Sequence, residues 1–158
     1  MYLCCKQTVM KNKSFIFCVL ALACLISSCG KEDTKGPADN FIGVYSFEDT
    51  YSYTWGERSG SATSSGTFEI RKVSSDKVSF TIPWQTNATV SGGQLILDPV
   101  RQSSQSDYVN YTFEPASFSG FTLTITYQGT GSMKSTDNRS YPYSCQGTLI
   151  SVKQPSTE

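Results

Sequence analysis

The side chains of this chain that could do chemistry are its six cysteines and thirteen carboxylates, because its 158 residues include no histidine. That absence removes the commonest general base and the commonest metal ligand together. Two carboxylates suffice in principle for glycoside hydrolysis, and Glu48, Asp49, Glu69, Asp98, Asp107 and Glu114 are on offer. Nothing in their spacing sets a pair ~5–9 Å apart across a cleft. The chain shows no phosphate-cradling glycine loop before a helix, no G-x-S-x-G elbow and no metal-ligand spacing. The expectation is a protein with no catalytic residues, no metal and no cofactor. Two cysteines stand out by context: Cys29 at the end of an apolar run, and Cys145 in the strand-like Tyr143-Ser144-Cys145-Gln146-Gly147-Thr148-Leu149.

Bulk composition narrows the class. Formal net charge is zero, which argues against a nucleic-acid binder that relies on a basic surface. Charged residues make up 16% and aromatic residues 13%, with abundant Gly, Ser and Thr, a balance that suits β-structure with polar turns. So many aromatics can bury enough apolar area for a folded domain.

The N-terminal stretch has the layout of an export leader. Lys11 and Lys13 precede an apolar run from Phe15 to Ile26, within the ~7–15 residue range of a secretory h-region and short of the ~20 residues a spanning helix needs. Met10 opens a conventional leader by itself, so it competes with Met1 as the start. The exit, Ile26-Ser27-Ser28-Cys29, resembles the bacterial lipobox: a branched apolar residue, two small residues, then Cys. The resemblance implies a signal peptide over 1–28, lipid transfer to the Cys29 sulfur and cleavage after Ser28. A thiol is the nucleophile that such a transfer needs. The membrane is then the expected partner, through the anchor at Cys29.

The next residues, Gly30-Lys31-Glu32-Asp33, resemble the signal that exports lipoproteins of Bacteroidetes to the cell surface; a solvated charged tether reads equally well. The expected address is the cell envelope, at the outer membrane. Residues 29–40 read as a lipidated Cys and flexible tether, 41–154 as the domain and 155–158 as a tail. Cys4, Cys5, Cys18 and Cys24 would leave with the leader, so Cys145 has no intramolecular disulfide partner and is expected to be buried and inert.

The elements that must position any site alternate with period two. Phe68 and Ile70, then Val78, Phe80 and Ile82, then Val109, Tyr111 and Phe113, each share a face. Longer alternating runs span Phe121 to Tyr127 and Cys145 to Val152, with short ones at Ala88 to Val90 and Gln94 to Leu97. Turn chemistry separates them at Ser74-Ser75-Asp76, Ser91-Gly92-Gly93, Ser119-Gly120 and Thr130-Gly131-Ser132. Gly56 to Gly66 and Gln128 to Ser140 read as mobile hairpin connections. The expectation is all-β: an antiparallel meander of about eight strands, closed as a barrel or split into a two-sheet sandwich.

The first strand favours the barrel. From Gly43 to Trp55 the odd positions carry Tyr45, Phe47, Asp49, Tyr51, Tyr53 and Trp55, and the even positions are mostly polar. With its Gly43-Val44-Tyr45 opening, the layout from Phe41 to Gln154 resembles the small lipocalin-like barrels of Bacteroidetes lipoproteins. That resemblance implies non-catalytic binding of a small hydrophobic ligand or a glycan. The alternative is an accessory envelope protein that docks a protein partner. Tyr51, Tyr53, Trp55 and Trp84 are the candidate ring-stacking contacts at a pocket mouth. Asp49 breaks the aromatic row. A bulge at Glu48-Asp49-Thr50 that turns the acid to solvent is the favoured reading, and a ligand-contacting acid the other.

Overall fold

Alternation along the chain resolves into ten antiparallel strands in the computed structural model, which describes residues 35–155 apart from Ile82 and Gln105. The leader, Cys29, the start of the tether, Ile82 and residues 156–158 lie outside the described residues. The strands are β1 (Gly43–Trp55), β2 (Arg58–Lys72), β3 (Lys77–Phe80), β4 (Thr86–Ser91) and β5 (Gln94–Leu97). They continue as β6 (Val100–Ser104), β7 (Asp107–Phe113), β8 (Ala116–Ser119), β9 (Thr122–Lys134) and β10 (Ser140–Lys153).

β1 to β5 pair in sequence order, β5 passes on to β8, β8 to β10 again pair in order, and β10 returns to pair with β1. The result is a barrel-like ring of eight strands, β1-β2-β3-β4-β5-β8-β9-β10, as the meander pattern predicts. The β6–β7 hairpin stands outside the ring. β9 pairs with β8 over Thr122 to Thr124 and with β7 over Tyr127 to Ser132. The long strands therefore run past the ring as an open sheet in the order β2-β1-β10-β9-β7-β6.

At the ring end the inside is packed solid. Tyr45, Ile70, Val78, Leu95, Leu123, Ile125 and Leu149 are all at 1% exposure or less. Each such side chain contributes about 1.5–3 kcal/mol by leaving water. Tyr45 stacks on Phe68 at 5.3 Å and donates its hydroxyl to the Phe41 carbonyl at 2.7 Å, so its one polar group is satisfied. Before β1, Pro37–Asn40 forms one 3₁₀ turn, with Ala38 fully buried and its N–H donated to Ser75 O. Ordered packing thus begins inside the stretch expected to be tether.

Three sequence expectations are corrected. Residues 58–66 are strand β2, not a mobile connection; only Gly56 and Glu57 turn, with Gly56 at φ +59°. β9 likewise runs straight through Thr130-Gly131-Ser132 to Lys134, and only residues 135–139 connect it to β10. Both segments have low intrinsic strand propensity. Small residues on their inner face are what the neighbouring aromatic strand needs: Tyr53 lies over Gly60 and Phe47 over Gly66, each within about 3 Å of where a Cβ would stand. Finally, β1 has no bulge. Its register is unbroken on both sides, Asp49 facing Leu149 on β10 and Ser64 on β2.

Candidate functional site

With that register intact, strict alternation turns Asp49, Tyr51, Tyr53 and Trp55 inward. Asp49 is only 7% exposed. Opposite this row on β10 stand Leu149, Gly147, Cys145 and Tyr143. β9 adds Tyr127 and Gly129, and β7 adds Tyr111 and Phe113. The inner face of the open half is therefore aromatic and, unlike the ring end, only partly covered: Tyr51, Tyr53, Trp55, Tyr111, Phe113 and Tyr143 keep intermediate exposure.

The buried acid has a specific partner. Tyr127 Oη lies 3.0 Å from each Asp49 carboxylate oxygen and donates its proton between them. The two residues sit on strands separated by β10, and the phenol reaches across because Gly147 lies between. A Cβ at Gly147 would come within 2.6 Å of Tyr127 Cζ and Oη. Among the described residues no cation pairs with Asp49. Burial consequently raises its carboxyl above the ordinary value, with the Tyr127 hydrogen bond opposing that rise.

Burial also holds the Tyr111 phenol at about 12, and burial with the nearby Asp49 charge pushes Tyr127 higher still, so these hydroxyls stay protonated as hydrogen-bond donors. Cys145 is 8% exposed with its sulfur against Gly129, and burial raises its thiol, which disfavours the nucleophilic thiolate. Among the described residues no three Cys, Asp or Glu side chains gather as a metal would require. Of the other carboxylates, Glu48, Asp98 and Glu114 are exposed and Glu69 pairs with Arg71.

The structure brings together three of the proposed ring contacts and relocates the fourth. Tyr51 and Tyr53 neighbour one another at 6.3 Å, and Trp55 continues the row, its Nε1 donating to Met133 O at 3.1 Å. Beyond Trp55 the row opens into a cleft of about 680 Å³ at the tips of the β1–β2 and β9–β10 hairpins, lined also by Arg58, Asp137 and Tyr141. Trp84 is not at a mouth. At 4% exposure it packs edge-on against Phe113 and Tyr127, at 5.0 and 4.7 Å, as a plug between the ring end and the open half.

Sequence reasoning did not single out Tyr111, Tyr127 and Tyr143 as site residues, nor the glycines beneath the rings. The alternation of β7, β9 and β10 already carried the tyrosines. The glycine positions become visible only once strands are placed side by side. No protein-family model matches this chain, and no curated protein matches it.

Proposed function

We propose that this is a non-catalytic binding domain, held at the envelope membrane by lipid on Cys29, whose ligand lies along the aromatic row of β1. The observation that carries the reading is the continuity of Tyr51, Tyr53 and Trp55 along one face into the cleft beside Arg58 and Asp137. Solid packing accounts for rings at the ring end; it does not account for a second set left partly open. Partly open rings with phenolic edges suit a ligand that has a flat apolar face and a hydroxylated rim. A glycan meets both demands, and the charged side chains at the cleft favour it over a purely hydrophobic molecule.

The test is titration of the chain with oligosaccharides and, separately, with a fatty acid, followed by tryptophan fluorescence. Saturable quenching by an oligosaccharide, weakened about tenfold or more by Tyr53→Ala, is expected from the loss of one stacked ring. No response to either ligand class, together with no co-purified adduct in native mass spectrometry, would remove the binding role. The anchor is tested separately, by labelled palmitate: Cys29→Ser should abolish incorporation, and continued labelling overturns it.

A further inference from the structure

β2 pairs with β1 from Arg58 to Ile70 but meets β3 only at Ile70 to Lys72. Its other edge, from Ser59 to Phe68, has no described strand beside it. Which backbone groups face outward follows from Glu69, whose N–H and C=O both turn away from β1: the N–H donates to Thr81 Oγ1 and the C=O accepts from Thr81 N. Direction alternates by residue in an antiparallel ladder. Ser59, Ser61, Thr63, Ser65 and Thr67 therefore present their N–H and C=O groups on the open edge. Proteins usually blunt such edges with Lys, Pro or a bulge. Here Ser59 to Phe68 contains no charge and no proline, and its register against β1 is unbroken.

The sequence of this edge is nearly palindromic about Thr63, each mirrored pair being either identical or an exchange between small residues. Gly60 mirrors Gly66, Ser61 mirrors Ser65, Ala62 mirrors Ser64, and Ser59 mirrors Thr67. We infer that the occupant of this edge is a second copy of the same strand, paired antiparallel about a two-fold axis through Thr63. In that register each outward-facing backbone pair is satisfied by its counterpart. Hydroxyl side chains meet hydroxyl side chains on the outer face, a favourable cross-strand pairing. On the inner face glycine meets glycine, at the two positions already kept small by Tyr53 and Phe47. The length fits as well: the partner's β2 begins just after its Gly56-Glu57 turn, where Thr81 takes over pairing with Glu69. A two-fold axis makes such an interface closed rather than fibre-forming.

The register is read by cysteine scanning on the full chain expressed in cells, with mild oxidation and non-reducing electrophoresis; the parent chain sets the background from its own cysteines. Thr63 would face its own copy at a Cα separation of ~5.5 Å, within the range a disulfide spans. Ser61 would lie ~13 Å from its own copy and would face Ser65 instead. Thr63→Cys alone should therefore give a disulfide dimer, Ser61→Cys alone should not, and co-expressed Ser61→Cys and Ser65→Cys chains should cross-link. The double variant Ser61→Lys/Ser65→Lys, at exposed positions that do not touch the core, places lysine opposite lysine. It should reduce the Thr63→Cys dimer roughly tenfold. Equal cross-linking of Thr63→Cys and Ser61→Cys, no dimer above background, or a disulfide adduct with a different protein would each overturn the inference.

Discussion

The Tyr127 hydroxyl bridges both carboxylate oxygens of Asp49 at 3.0 Å, across a strand that belongs to neither residue. The contact exists because Gly147, on the intervening strand, has no side chain for the phenol to climb over. It joins the aromatic row of β1 to the tyrosines of β7 and β9, and it gives a buried acid its only described hydrogen-bond partner.

The acid makes stability pH-dependent with a definite sign. Burial raises the Asp49 carboxyl above its ordinary 3.8, so the native state binds that proton more tightly than the unfolded chain does. Its contribution is fully present below pH 3.8 and is lost as pH rises through the raised native value. Asp49→Asn should therefore be more stable than the parent at neutral pH, with the difference shrinking toward acid. Urea midpoints at pH 4 and pH 8 measure this, and an identical pH slope in the two proteins would show that Asp49 is not the titrating group.

Gly147→Ala tests the crossing itself. The added methyl would stand 2.6 Å from Tyr127 Cζ and 2.7 Å from Tyr51 Cβ, so at least one ring must move. The expected loss is about 1–3 kcal/mol, the usual cost of overpacking. Double-mutant analysis with Tyr127→Phe should show strong coupling, because removal of the hydroxyl and displacement of the ring break the same bond.

At the ring end, Tyr45→Phe keeps the stacked ring but orphans the Phe41 carbonyl, which now accepts a 2.7 Å hydrogen bond. The cost should be about 1–3 kcal/mol, seen as a lower denaturation midpoint with an unchanged m-value. Binding along the β1 row, some distance away, should be unaffected.

Cys145 should resist alkylation in the folded chain at pH 8 and react fully in denaturant, since its thiol is both covered and raised. Mass spectrometry of the peptide that spans Tyr143 to Ile150, after timed iodoacetamide exposure, reads this directly. Rapid native labelling would mean that the open half breathes around Cys145.

How far these features were legible in the sequence depends on their range. Phe121 to Tyr127 and Gly43 to Trp55 announced themselves because alternation is a property of one strand. The segment from Ser59 to Gly66 did not: serine and glycine carry a turn signal by themselves, and only pairing with Tyr53 and Phe47 makes small residues the right choice. β6 and β8 were missed for the related reason that four- or five-residue strands with few apolar side chains have little pattern to show. Asp49 illustrates the third case. The alternation placed it inside, and general knowledge of what buried charge costs argued it out again. The deciding residue, Tyr127, stands 78 positions away.

Ring closure has a kinetic consequence. The strand that seals the sheet, β10, pairs with β1 about a hundred residues earlier, from Tyr45↔Lys153 to Trp55↔Tyr143. Contacts of such sequence separation give a high contact order, and folding on the ~millisecond-to-second scale typical of all-β domains. Until β10 is available, both long edges of β1 cannot be satisfied, so a nascent chain gains little by folding strand by strand from its beginning. The domain therefore stays uncommitted until its last strand is delivered, and only a chain synthesised through Lys153 can close the ring.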